Sequence, residues 1–328
     1  MHDQLIVIDG LQYSNWNRAI FKQLKDGGVT MVHATIVYHE QIRETLLRIS
    51  EWNRLFEQNS DLIMPVKSAA DIRTAKQLGK VGIMFGAQNC SPIEDDIGMI
   101  EVMRELNLMI MQLTYNNQSL LACGCYEAED SGVTRFGKQA ILEMNRVGMI
   151  IDMSHSGERS TLDAIEISQR PIVISHANPN SFHNAKRNKS DEVLKALGES
   201  GGLLGFSLYP FHLKNGPDCT LTEFCDMVAK TADLMGVERL GIGTDLCQNQ
   251  PLSILEWMRN GRWSKQMDYG EGNKDNADWP RPLEWFKDSR DFPNLTKGLQ
   301  ARGFSDKEVA QIMGQNWLDF FEHSLQPS

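Results

Sequence analysis

The chain contains no run of eighteen apolar residues, so it holds no segment built to cross a bilayer as a helix. Its opening, Met1-His2-Asp3-Gln4, lacks the positive stretch and long apolar run of a secretory leader, and no signal peptide is expected. Basic charge is short. The 33 Lys and Arg against 43 Asp and Glu leave a net charge of -10, which excludes a broadly basic surface for nucleic acid. Six cysteines at irregular spacing do not form a disulfide framework, and Cys123 and Cys125 lie too close together for a usual zinc knuckle. Reduced thiols in a cytoplasmic protein are therefore expected. Low-complexity segments and long-period repeats are also missing.

What is present suffices for one large core. The 328 residues are 41% hydrophobic. That is long for an ordinary domain, but barrels of alternating strands and helices reach this size, so residues 1–328 are read as a single domain. Eight apolar, strand-like runs recur, at residues 5–9, 29–36, 81–85, 108–114, 149–153, 172–175, 202–208 and 239–244. Segments with a 3.6-residue period separate them. Phe136 to Val147 places Ala140, Ile141, Met144 and Val147 on one side and stops at Gly148. Thr220 with Glu223 three residues on opens a helix that runs to Met235. The pattern predicts an α/β (β/α)8 TIM barrel, with a doubly wound open sheet as the alternative. Residues 247–293 break the rhythm, with Trp257, Trp263, Trp279 and Trp285 among Gly, Asp, Asn and Pro. They read as a lid or subunit contact over the barrel mouth, or as a long excursion packed by its own aromatics. C-terminal helices are expected over about 294–323, one of them opened by Ser305 with Glu308.

Three of the apolar runs end in chemistry: Ile151-Asp152-Met153-Ser154-His155, Ile172-Val173-Ile174-Ser175-His176 and Gly241-Ile242-Gly243-Thr244-Asp245. Parallel α/β enzymes place their reactive groups at the C-terminal ends of strands. One strand-end histidine is most often structural. Two on consecutive strands, about 4.8 Å apart, can converge on one ion. Asp245 can ligate a metal or take a proton from a bound water, and its plain alternative is an N-cap.

Here the sequence resembles the renal or membrane dipeptidases of the amidohydrolase superfamily. The resemblance is clearest over Asn145 to His155, with Ser175-His176, Arg187-Asn188, Gly241 to Asp245 and Met313-Gly314-Gln315-Asn316-Trp317 in support. It implies a (β/α)8 barrel, usually dimeric, with two zinc ions in the mouth, hydrolysing dipeptides, some of them with D-residues. By the same resemblance His155 and His176 are ligands of the second zinc and Asp245 the catalytic aspartate. Arg187, beside Asn188, would receive the substrate carboxylate, and Tyr209 would touch substrate.

The departures are informative. The family's opening Asp-Gly-His-x-Asp is Asp9-Gly10-Leu11-Gln12-Tyr13 here, so both ligands of the first zinc are replaced. The bridging glutamate aligns with Gln88, and a histidine that polarises the scissile carbonyl aligns with Tyr115. Two nearby dications need anionic ligands to offset their repulsion, and these changes remove two negative charges. An empty first site is expected, with at most one ion, such as zinc, on His155, His176 and Gln88, or no metal at all. Tyr13 would then block the vacated position or take part in binding. His33, His39, His183 and His212 are pocket-lining or structural, and the Cys123-Gly124-Cys125-Tyr126-Glu127 loop is expected to shape the rim. The leading expectation is a dipeptidase-like hydrolase acting on a small amide with a free carboxylate. The alternatives are a lyase or isomerase acting on a small amino-acid-like carboxylate, and a non-catalytic binding protein. A homodimer without nucleic-acid or membrane partners completes the expectation.

Overall fold

The computed structural model describes residues 1–266 and 268–326. Position 267 of the expected insertion and positions 327 and 328 of the expected domain lie outside these. Nine strands form one sheet: β1 Ile8–Gln12, β2 Met31–Val37, β3 Ile63–Pro65, β4 Val81–Ala87, β5 Leu108–Gln112, β6 Ile150–Asp152, β7 Val173–Ala177, β8 Leu203–Phe206 and β9 Leu240–Ile242. All pairings are parallel, β1 pairs with β9 and β2 with β4, and the sheet closes into an eight-stranded barrel. The eight expected runs fall on its staves, but the first was expected at 5–9 and β1 spans Ile8–Gln12. The ninth strand, β3, was not foreseen: three residues, one of them proline, carry no periodicity. It pairs along the first half of β4 at Ile63↔Val81, and β5 takes over from Phe85, so the same edge of β4 serves two neighbours in turn.

The closure follows from residue type. β1, β2, β4 and β5 are buried along their whole length, as strands covered on both faces must be. Outside them the core is a ring of apolar contacts between strands and helices. Arg135–Val147 begins one residue before its expected start, capped by the Thr134 hydroxyl, and Gly148 ends it in the left-handed region at φ 70°. Thr220 and Glu223 form the expected capping box, and so do Ser305 and Glu308.

A second core closes the N-terminal end. Ile8, Met31, Ile150, Val173 and Leu203, each the first residue of its strand, meet Trp317 and Phe321 of the helix Asn316–Ser324. The Trp317 indole is fully buried and donates to Ile242 O at 3.0 Å. It reaches so far because β1, β8 and β9 carry glycine there: a Cβ on Gly10, Gly205 or Gly241 would sit 2.5, 3.2 or 2.4 Å from its ring. Asn316 beside it donates to Val237 O and Leu240 O, both at 2.8 Å.

At the other end, residues of the 247–293 segment lie over the mouth. Gln250 donates to Tyr13 O, and His39 contacts Met258 O at 3.2 Å. Trp257 donates to Glu40 at 3.0 Å, while Trp285 donates to Cys219 O at 2.8 Å. Trp279 packs on Tyr13, with centroids 6.1 Å apart. Among the described residues no helix is long and apolar enough to cross a membrane.

Candidate active site

Two buried aspartates set the geometry by clamping neighbouring strand ends. Asp152, closing β6, accepts from Ser154 N (3.0 Å) and Ser154 Oγ (2.6 Å), and across to β7 from Ser175 N (3.0 Å) and Ser175 Oγ (2.5 Å). This fixes the turns that deliver His155 and His176. Asp9 does the same between β1 and β9: it accepts from Thr244 N (2.7 Å), Thr244 Oγ1 (2.6 Å) and Gln12 Nε2 (2.7 Å). Burial pushes Asp9 up to about 6 although those bonds pull it down. The next residue after that clamp is Asp245, in the left-handed region at φ 59° and tied to Leu11 O through its N–H.

The hydrogen-bond network assigns both imidazole tautomers. Ser175 gives its proton to Asp152, so it accepts from His176 Nδ1 at 2.7 Å, and His176 Nε2 keeps a lone pair. His155 Nδ1 donates to Asn116 Oδ1 at 2.6 Å, leaving its Nε2 a lone pair as well. These two nitrogens lie 3.1 Å apart, and Gln88 Oε1 is 2.8 Å from the first. Gln88 Nε2 donates to Thr35 Oγ1, which turns the amide oxygen inward. Three electron-pair donors therefore face one another with no proton between them. Both histidines are driven well below the usual imidazole range by burial and by the nearby Arg187 guanidinium, so neither gains one near neutrality.

Convergence of this kind, with each ligand oriented from behind, is what one cation relieves. Two imidazole nitrogens on one tetrahedral zinc sit about 3.3 Å apart, close to the separation here. The residues thus fit one divalent ion. Among the described residues no group of three or more His, Cys, Asp and Glu could hold an ion, so an ion here would take the Gln88 amide as its third ligand. Leu11 is fully buried and offers no lone pair, and burial keeps Tyr13 a neutral phenol.

A cavity of about 60 Å³ opens beside His155. Tyr13, Gln88, Tyr115, Arg187, Tyr209 and Asp245, all expected site residues, line it. Tyr115 stacks on His155 with centroids 4.1 Å apart, and burial keeps its hydroxyl protonated. Asp245 is pushed up to about 7, chiefly by burial; Arg187 opposes the shift, and Asp9 and Asp152 add to it. Arg187 is 2% exposed and donates to Ser154 O and to His176 O. Lys189, two residues on, donates to Ser156 O, and burial pushes it down to about 8. One loop thus grips the carbonyls on both sides of His155.

Other expected residues lie off the cavity wall. His176 touches His155 but does not line the cavity. Asn188 is bonded to Asn178 N, His183 O and His212 O, so it shapes the loop. His33 contacts Gly10 O at 2.6 Å, and its buried Nε2 finds no partner. His212 lines the wall and His183 does not. Sequence reading missed Asn116, Arg259, Tyr269 and Glu271 in the wall. Asn116 had a weak signal, following Tyr115. The other three come from the insertion, where no periodicity marks a facing direction.

This fold and site define a (β/α)8 barrel of the metal-dependent hydrolase type. Residues 16–256 match the membrane dipeptidase family, peptidase family M19, and the chain belongs to that family, one of dipeptidase-like metallohydrolases. An amidohydrolase of Pseudomonas aeruginosa has 36% identity with this chain, covers 99% of it and 98% of its own length, and has a TM-score of 0.94. A metallopeptidase of Rhodobacter sphaeroides, solved with a phosphinate mimic of the dipeptide L-Ala-D-Ala, shares the fold at 15% identity, over 98% of this chain and 99% of its own, with a TM-score of 0.82. A dipeptidase of Claviceps purpurea is 24% identical over 283 residues, which span 85% of this chain and only 60% of that protein.

Proposed function

We propose that this protein hydrolyses a small amide with a free carboxylate, a dipeptide or another amino-acid-derived amide, using a single metal ion. The observation that carries this reading is the convergence of the His155, His176 and Gln88 lone pairs beside a cavity lined by Asp245 and Arg187. Those three residues would hold the ion, most simply zinc, and when bound it would supply Lewis-acid polarisation. Arg187 receives the substrate carboxylate, its planar fork suiting two oxygens. Tyr115, kept neutral, donates to the carbonyl oxygen under attack. Asp245 takes a proton from the attacking water and returns it to the leaving nitrogen as the C–N bond breaks. A carboxyl group held near 7 suits both transfers. The 247–293 segment serves as the lid, since Leu255, Met258 and Arg259 roof the cavity. A cytoplasmic homodimer belongs to the same reading, and six cysteines without disulfides fit a reducing compartment.

The test is metal content and turnover of protein purified without chelator. About one ion per chain, lost in H155A/H176A, is expected, together with hydrolysis of dipeptides that D245N abolishes and C-terminal amidation of substrate suppresses. Metal-loaded protein that cleaves no member of a broad dipeptide and N-acyl amino acid panel overturns the proposal.

A further inference from the structure

The chain has six tyrosines in 328 residues, and the fold brings every one to the same end of the barrel. Tyr13, Tyr115, Tyr126, Tyr209 and Tyr269 line the cavity. Tyr38 packs edge-on against Tyr13 and Tyr115, with centroids 6.2 and 6.3 Å away. They arrive from five separate segments, Tyr115 and Tyr126 sharing the one after β5, so chain proximity explains only that pair. Core packing explains half of it: Tyr13, Tyr38 and Tyr115 share a buried cluster with Leu11 and Met258, and Tyr126, Tyr209 and Tyr269 stand outside that cluster. Burial holds the Tyr13, Tyr126 and Tyr209 hydroxyls in their neutral form. The wall therefore presents electron-rich rings, with the carboxyl groups of Asp245 and Glu271 and the guanidinium groups of Arg187 and Arg259 among them.

Such a wall recognises a cation. One ring already does so: the Lys186 ammonium lies 5.7 Å from the Tyr126 centroid. A primary ammonium brings three N–H groups that each need an acceptor. Glu271 Oε1 is already engaged by the Arg187 N–H at 3.1 Å, and five tyrosine rings outnumber the two carboxyl groups in the wall. A methylated ammonium brings one N–H or none, and its methyl groups bury well against ring faces.

We propose that the site takes a small carboxylate bearing an N-methylated tertiary or quaternary ammonium, either free or as the N-terminal residue of the amide to be cleaved. Resting on the hydrolase reading for the carboxylate's place at Arg187, it sets the cationic nitrogen among the tyrosines.

Calorimetry on metal-loaded protein tests it with trimethylglycine, N,N-dimethylglycine, glycine and 3,3-dimethylbutanoate, the uncharged carbon isostere of the first. Trimethylglycine or N,N-dimethylglycine is expected to bind about tenfold or more tighter than glycine and the isostere. Y269L and Y126L, on half-buried positions at the rim, lose that preference, and Y269F keeps it. Initial rates on N,N-dimethylglycyl-glycine against glycyl-glycine distinguish the two forms of ligand: a preference of about tenfold in kcat/KM marks the N-terminal residue, and binding of trimethylglycine without it marks the free molecule. Equal binding of the isostere, or glycine binding as tightly as its methylated forms, overturns the proposal. Hydrolysis of plain dipeptides with neither preference leaves the hydrolase reading standing and this inference refuted. Selective binding with no amide cleaved does the reverse.

Discussion

The two ends of the barrel are closed by opposite means. At the N-terminal end, Trp317 fills the space left by three glycines, its one polar atom is paired, and the surroundings are apolar. At the C-terminal end the filling is polar. Two lone-pair nitrogens face each other at 3.1 Å, a carboxyl group is held near 7, and rings roof a cavity of about 60 Å³. Satisfied groups at one end and conflicting ones at the other show where stability was kept and where it was given up for chemistry. In barrels of this kind the active face is the C-terminal one.

The contrast can be broken by substitutions that ask each end to do the other's task. The largest effect is expected for D245N, which removes the proton acceptor. A drop in kcat/KM of about 10²–10⁴ with the fold intact is expected, and a loss under threefold would refute the assignment. At the opposite end W317A should destabilise by about 3–5 kcal/mol in a denaturant melt while leaving KM of the folded fraction unchanged. A shifted KM would mean that the ends are coupled.

The third prediction concerns pH. Asp245 is held near 7 when folded, against an ordinary 3.8. Below 3.8 both states carry the proton and the group is neutral in effect. Between 3.8 and 7 the unfolded chain ionises first, so stability falls as pH rises, and the full penalty is present above 7. Relative to wild type in chelator, D245N should gain nothing at pH 3 and roughly 2–4 kcal/mol at pH 8. A pH-independent difference would show that the carboxyl group is not held protonated. The smallest effect is expected for G241A, whose new methyl group would sit 2.4 Å from Trp317 Nε1. Overpacking should cost about 1–3 kcal/mol, and W317L in the same chain should recover most of it.

Much of this was legible beforehand. The eight staves showed as apolar runs, and His155, His176 and Asp245 showed as strand-end residues, because burial on two faces and strand termination both act locally. Gly148 and the Thr220–Glu223 box were readable for the same reason. β3 was not, since three residues and a proline carry no period. Arg259, Tyr269 and Glu271 were not, since an irregular segment has no repeating face to read.

The amino-acid order alone placed eight of the nine strands to within about three residues and marked which side chains stand near their ends, because those outcomes depend on neighbours a few residues away. Tertiary structure decided the rest. It aligned Asp152 with Ser175 to set the His176 tautomer, opposed that ring to His155, turned the Arg187 guanidinium onto the carbonyls of Ser154 and His176, and assembled six scattered tyrosines. Lone-pair direction, desolvation and ring placement are properties of contacts between distant segments, and they exist only once the barrel has closed.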